Sequence, residues 1–383
     1  MITLTQPTIP IVSGFNRVLY NIISTNAAND GFKYVVKVYN GADEVITTLY
    51  LDTPPNPSSP VEFDVSKLIT TDYDFTNGFN PATTVSYSTG ILSKFRLRCY
   101  EYYLIDGIGV IVLDTEVVST FKTALASAFP LLNLRDWNYD YLNRTFVNNF
   151  KPLTDYNVIK MRMNDMQVFS FYKYEINPDY IVAEYFINGE DYDSYTINIP
   201  FNGSYNEILH IGFRPSDYAP DDVTSIKLTI FVDGSQYQFA TIYINECGKY
   251  EPVRLAYLNK YGAYDFMNFD LVSRTSFDTE KRSYQREYNG DVFVGDVVKN
   301  LNPNYYVKEL EKMHLVSDYL TNEQSILLRE MYSSPLVYLK RNNIWIPVKI
   351  SQGSYEVKTV VVDKVFNVEI DVEFQLSNIK QAV

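Results

Sequence analysis

Apolar and polar positions alternate with a period of two over much of the chain. The clearest run lies near the C-terminus, where Phe366, Val368, Ile370, Val372, Phe374 and Leu376 are separated by Asn367, Glu369, Asp371, Glu373 and Gln375. Successive side chains of a strand point to opposite faces, so this spacing gathers the apolar groups on one face and an acidic row on the other. On a helix the same residues would spiral round every face. The pattern predicts a strand with one face on a core and the other in water. Phe32, Tyr34, Val36 and Val38 repeat it ahead of a turn at Asn40-Gly41. Phe95, Leu97 and Cys99 repeat it against Arg96, Arg98 and Tyr100. Ile226, Leu228, Ile230 and Val232 lead to Asp233-Gly234, after which Tyr237 and Phe239 resume, which is the turn chemistry of a β-hairpin. Ile344, Ile346, Val348 and Ile350 alternate with Trp345, Pro347 and Lys349. Pro347 has no N–H to give a ladder, which predicts a sheet edge at that strand.

Helical signals are few. Thr321 to Ser333 opens with a capping box, Thr321 with Gln324, and has Glu323 in its first turn. Ile326, Leu327, Leu328 and Met331 give it an apolar stripe, and Ser333-Ser334-Pro335 ends it. Shorter helices are expected over Tyr306–Met313 and Phe121–Ala128. Pro54, Pro55, Pro57 and Pro60 mark one rigid connection, and Asp217–Asp222 with Pro220 marks another. Soft boundaries fall near Phe129-Pro130 and Gly248. The expected architecture is mainly β and multi-domain, with sandwich-like or barrel-like domains and a few short helices. It has an N-terminal sandwich-like domain at 1–128, a central β-rich domain at 129–247, and a C-terminal β domain at 248–383 carrying the capped helix at 321–333.

Composition adds detail to this reading. In 383 residues there are 34 Tyr and 23 Phe but only 2 Trp, a bias that suits pleated, half-buried surfaces and interfaces with one wet end. Lys and Arg number 33 against 46 Asp and Glu, a net charge of −13. Nucleic-acid binding draws on a cationic surplus that this chain lacks, and anionic membranes repel it. Its densest basic run, Lys281, Arg282 and Arg286, is flanked by Glu280 and Glu287 and reads as a solvated face. Cys99 and Cys247 make neither a Cys-x-x-Cys pair nor a disulfide framework, and are expected to be free buried thiols. Residues Met1–Phe15 carry no secretion-signal pattern, and the most apolar stretch, Gly107–Leu113, is far shorter than the ~20 residues that span a bilayer.

The search for chemistry assigns no catalytic, cofactor-binding or metal-binding residue, and the expectation is a protein that is not an enzyme. Ser–His–acid catalysis requires a histidine beside an exposed serine, but no Gly-x-Ser-x-Gly occurs and the only histidines are His210, in a strand-like run, and His314, at an expected helix end. His-Glu-x-x-His is absent. The acids at Glu190-Asp191-Tyr192-Asp193 and Asp221-Asp222 lack the ligand spacing of a calcium loop and read as solvated loops. Gly107-Ile108-Gly109 lacks a third glycine, and Gly248-Lys249 has no upstream glycine at phosphate-loop spacing. With 46 acids, the paired carboxylates of a glycosidase remain an open alternative. The run Arg135-Asp136-Trp137-Asn138-Tyr139-Asp140-Tyr141 suits either sugar stacking or an aromatic loop packed at an interface.

Several of these segments carry a resemblance. Phe32–Tyr39, the proline-rich loop and Val61–Ser66 look like the start of many virion proteins of Bacteroidetes-infecting tailed bacteriophages. Asn245–Gly248, Leu255–Asp265, the capped helix, Ser334–Leu339 and Ile346–Ile350 resemble tail and neck proteins of crAss-like phages. The resemblance covers about half the chain and implies β-sandwich domains in a symmetric ring within a tail, neck or baseplate. It implies a virion structural subunit made in the host bacterial cytoplasm, a tail hub, ring or baseplate protein. Its partners would be copies of itself in a ring-like homo-oligomer, other tail or neck proteins, and DNA sliding past acidic walls without specific binding, with no membrane contact. The alternative is a carbohydrate- or host-receptor-binding tail module, motivated by Trp137, Tyr139 and Tyr141.

Overall fold

The structure, a computed structural model, describes residues 1–7, 11–14, 17–69, 73, 85–105, 107–126, 151–173, 178–200, 207–245, 249–285, 293–294, 297–298, 302–320, 322–351, 367–375 and 378–380. The chain divides into two units, one formed by Met1–Asn245 with Leu258–Asp265, the other by Glu246–Tyr257 with Phe266–Val383. The first passage between them falls close to the boundary expected near Gly248. The boundary expected near Phe129-Pro130 lies outside the described residues, and the residues on both sides of it belong to unit 1. The return of Leu258–Asp265 to unit 1 has no counterpart in the sequence reading. Strands dominate both units, and the mainly β, multi-domain architecture is what the alternation predicts.

The first part of unit 1 contains β1 (Ile2–Thr5), β2 (Ile11–Ser13), β3 (Leu19–Ser24), β4 (Lys33–Asn40), β5 (Val45–Asp52), β6 (Val61–Asp64) and a single helical turn, α1 (Ser66–Ile69). β7 (Val85–Ser88), β8 (Leu92–Ile105), β9 (Ile108–Val118) and β10 (Lys122–Leu125) follow. β1-β3-β6 form one sheet; β2-β10-β8-β4-β5, with β9 also on β8, form the other. They share one core. Tyr20, Ile22 and Phe63 enter it from the first sheet, and Tyr34, Val36, Val38, Phe95, Leu97 and Cys99 from the second. The alternating residues of the sequence are thus the inward face, and each large apolar side chain so buried contributes about 1.5–3 kcal/mol. Glu101 is also buried, and it accepts hydrogen bonds from the Ser24 hydroxyl and from Asn26 Nδ2 (2.8 Å), so its carboxylate is not left unpaired. The helix expected over Phe121–Ala128 is instead strand β10 at Lys122–Leu125. It pairs antiparallel with β8 and parallel with β2, and two ladders outweigh the helical preference of alanine and leucine.

The second part of unit 1 contains β11 (Val158–Met161), β12 (Gln167–Lys173), β13 (Pro178–Ile187), β14 (Glu190–Asn198), β15 (Glu207–Phe213), β16 (Ser225–Val232) and β17 (Ser235–Ile244). β12-β15-β7 make a three-stranded sheet and β11-β17-β16-β13-β14 a five-stranded one. Phe239 of β17 meets Phe169 and Phe171 of β12 edge-on, at centroid distances of 5.0 and 5.2 Å, so the two sheets are joined through aromatic rings. The predicted β16–β17 hairpin is present. Asp233 (φ 48°) and Gly234 (φ 75°) both take the left-handed conformation that a tight two-residue turn requires. Leu258–Asp265 adds Tyr261 and Ala263 to a cluster with Ile11, Leu125, Leu153, Tyr172 and Ile208. Asn259 fixes this turn: its amide donates to the Leu153 carbonyl (2.8 Å) and its Oδ1 accepts from the backbone N–H of Tyr261 and Ala263.

Unit 2 is built on β18 (Val253–Leu258), β19 (Tyr264–Phe269), β20 (Arg274–Ser283), β23 (Asn304–Val316), β24 (Val337–Arg341), β25 (Ile344–Ile350), β26 (Glu369–Phe374) and β27 (Asn378–Lys380), with the small hairpin β21 (Phe293–Val294) and β22 (Val297–Val298) between β20 and β23. Its large sheet runs β19-β18-β24-β25-β26-β23-β20, with β27 also on β23. Helix α2 (Asn322–Ser333) packs Leu328 and Met331 into a cluster with Leu255, Leu339, Val348, Ile370 and Val372. Its expected cap, Thr321, and the side chains of Glu323, Ile326 and Leu327 lie outside the described residues, as do Phe366 and Leu376.

Two expectations for this unit are corrected. Tyr306–Met313 is not a helix but part of β23, paired with β20 along its whole length. β25 is not an edge strand, because β24 and β26 flank it. Its ladder with β26 covers Val348–Ile350, so among the described residues Pro347 lies where the strand has one neighbour, a local edge that tolerates its missing N–H. No helix among the described residues is long and apolar enough to cross a membrane.

Candidate functional site

The titratable residues most able to do chemistry are placed structurally. His210 lies on β15, buried, with Ser170 Oγ 2.9 Å from Nδ1 and Ser88 Oγ 2.7 Å from Nε2. The serines come from β12 and β7, the two neighbours of β15: Ser170 is directly opposite His210 in register, while Ser88 faces Ile208 and reaches the ring diagonally. Burial lowers its pKa from 6.5 to about 4, so the ring is neutral at physiological pH and bridges three strands. His314 is on strand β23, not at a helix end. Its Nδ1 is 2.7 Å from Asp371 Oδ1 on β26 and its Nε2 3.6 Å from Glu369. The Cys99 thiol is fully buried and pushed up to about 12 by desolvation. Cys247, Arg286, Glu287 and the aromatic run Arg135–Tyr141 lie outside the described residues. Among the described residues, no group of three or more His, Cys, Asp or Glu side chains is placed to hold a metal ion.

What stands out on the surface is strand that none of the described residues covers. All ten residues of β20 are exposed, Phe277 at 57%. β23 pairs with one of its edges, and among the described residues the other edge is free. Charged contacts run along the ribbon. Lys312 is 2.8 Å from Asp278, Arg282 is 3.0 Å from Glu280, and the Arg282 guanidinium sits over the Tyr306 ring. Exposed ion pairs add little, so what holds β20 is its ladder with β23 at the edge of the large sheet.

β14 ends the five-stranded sheet in the same way. Glu190–Thr196 are all exposed, so the acidic cluster expected in a loop is on an edge strand instead. Its pairing with β13 is irregular: Tyr185 faces Asp193 and Phe186 faces Asp191, which leaves Tyr192 unmatched and exposed. Past this bulge the strand borders an open depression of about 350 Å³, lined by Tyr195, Ile197, Val85, Pro200 and Tyr218 among others. Tyr195 and Tyr218 have ring centroids 5.0 Å apart, and Tyr218 stacks on the buried Phe213. None of the described lining residues bears a carboxylate, imidazole, thiol or amine; its polar groups come from Tyr195, Thr196, Asn198 and Tyr218. A third exposed region is the β8–β9 hairpin, whose end presents Ile105, Ile108 and Val110.

The sequence reading missed these features for a physical reason. Ser88, Ser170 and His210 meet only through ladder register, and Tyr195 and Tyr218 meet only once β14 lies beside the turn after β15. The one local signal was the alternation of Tyr195, Ile197 and Ile199, which marks a strand. No protein-family model matches the chain, and no curated protein matches it.

Proposed function

We propose that the chain is a structural subunit of a phage tail assembly, a hub, ring or baseplate protein that forms a symmetric oligomer through protein–protein contacts and has no catalytic role. The observation that carries the self-assembling part is the uncovered strand: a ten-residue ribbon strand with no buried residue, and an edge strand with seven consecutive exposed residues. Free ladders template pairing with another chain, and exposed aromatic residues are the commonest anchors of such contacts. The placement in a virion rests on the sequence resemblance. Electron microscopy and sedimentation of the purified full chain, with immunogold labelling of phage particles, test both parts. Ring-shaped oligomers and labelled tails are expected; a protein that stays monomeric at every concentration and never joins particles would overturn the reading.

The open depression beside Tyr195 and Tyr218 favours the second reading, a glycan- or receptor-binding tail module. Glycan-array binding that disappears in Tyr218→Ala would promote it over the first.

A further inference from the structure

Both uncovered strands need a partner, and each carries what the other lacks. We infer that β14 of one copy receives β20 of a second copy, antiparallel, with Phe277 seated in the depression beside Tyr195 and Tyr218. This deepens the self-assembly reading and rests on it.

The ladder comes first. β14 and β20 each have one edge paired and, among the described residues, one edge free, so their N–H and C=O groups can complete each other as an added strand. The bulge at Tyr192 limits the continuous ladder on β14 to Asp193–Asn198. With Tyr195 opposite Phe277, antiparallel pairing sets Thr196 opposite Ser276 and Asn198 opposite Arg274, with no like-charged pair across this ladder.

The ring fits next. Phe277 is a large apolar side chain left in water on a strand with no core of its own. The depression on β14 is mixed in polarity, with Val85, Ile197 and Pro200 beside Thr196 and Asn198, and has room for a phenyl ring against the faces of Tyr195 and Tyr218. Edge-to-face contacts between such rings add to the gain from burial.

Charge then fixes direction. This register brings the acidic end of β14, with Glu190, Asp191 and Asp193, beside the end of β20 that carries Lys281 and Arg282. Asp278 is paired with Lys312 and Glu280 with Arg282, so the run Glu280-Lys281-Arg282 still presents one net positive charge to the acidic end of β14. The reverse orientation would set the acidic end against Arg274 alone and leave Lys281 facing Ile199. Because the two surfaces differ, the contact is heterologous and repeats from copy to copy, which is the kind of interface that closes into rings.

Sedimentation velocity of the purified full chain tests this, with circular dichroism to confirm that each variant is folded. All substituted positions are exposed. Lys281→Glu with Arg282→Glu, and separately Phe277→Ser, are each expected to weaken self-association by about tenfold or more, since like charges across an interface and lost anchors both act strongly. Adding Glu190→Lys and Asp191→Lys to the first variant is expected to restore it. Wild-type association that none of these substitutions changes would overturn the β14–β20 contact and leave the structural reading standing. A wild-type chain that does not associate at any concentration would overturn both.

Discussion

Protonation of His210 gives the structure a pH response whose size can be worked out. In the fold the ring is sandwiched between Ser88 and Ser170 and shut away from water, which holds its pKa at about 4; in the unfolded chain it returns to about 6.5. Two hydroxyls can rotate to accept from either ring nitrogen, so the opposition to charge comes from desolvation rather than from a missing acceptor. Between these two values the unfolded state binds a proton that the native state does not. Stability therefore rises with pH across that window, is fully present above about 6.5, and is lost progressively as the pH falls to about 4. The gap from 6.5 to about 4, at about 1.4 kcal/mol per pH unit, is worth about 3 kcal/mol.

The assay is unusually clean because the chain has only 2 histidines. In protein with isotopically labelled histidine, one imidazole signal should stay in its neutral form down to about pH 5. Denaturant unfolding of unit 1 at pH 7.5 and pH 4.5 should show a stability difference that shrinks by about 2–3 kcal/mol in His210→Gln. Two imidazoles that both titrate in the free-histidine range, or a His210→Gln variant with the full wild-type pH dependence, would refute the reasoning.

Other consequences are equally concrete. Phe239→Ala should cost about 3–5 kcal/mol in denaturant unfolding, because it removes a buried ring and its contacts with Phe169 and Phe171, whereas Phe239→Leu should cost less than half as much. Gly234→Ala should be mild, about 1 kcal/mol, since its added methyl meets open space and only the positive φ resists. Gly262→Ala should be clearly worse in the same experiment, because its methyl would run into the Ala126 carbonyl as well. In a Cys247→Ser background, Cys99 should fail to react with a thiol reagent at pH 8 until the protein is unfolded, as a buried thiol with a pKa near 12 demands.

The parts of the fold legible in the sequence were those where one strand's own alternation decides its burial. Val368, Ile370, Val372 and Phe374 are all buried, and the Asp233-Gly234 turn carries its hairpin by local backbone preference. The failures came where pairing overrode local preference. Tyr306–Met313 is rich in lysine, glutamate, leucine and methionine, good helix formers, yet it is held extended by β20 on one side and by β26 and β27 on the other. The interaction surface was less legible still. Its constituents, Tyr195, Tyr218 and Phe277, lie on separate elements, and an exposed edge is a property of the sheet, which no residue window records. The acidic run was noticed, but its strand geometry could not be inferred from four consecutive polar positions.

The turn at Leu258–Asp265 bears on how the protein is made. Translation delivers the chain in order, at roughly 5–20 residues per second. When Asn245 emerges from the ribosome, every strand of both sandwiches in unit 1 is present, yet the seat formed by Ile11, Leu125, Leu153, Tyr172 and Ile208 still waits for Tyr261 and Ala263. A nascent chain halted at residue 245 would leave that seat open to protease or chaperone, while one halted beyond residue 265 and clear of the exit tunnel would not.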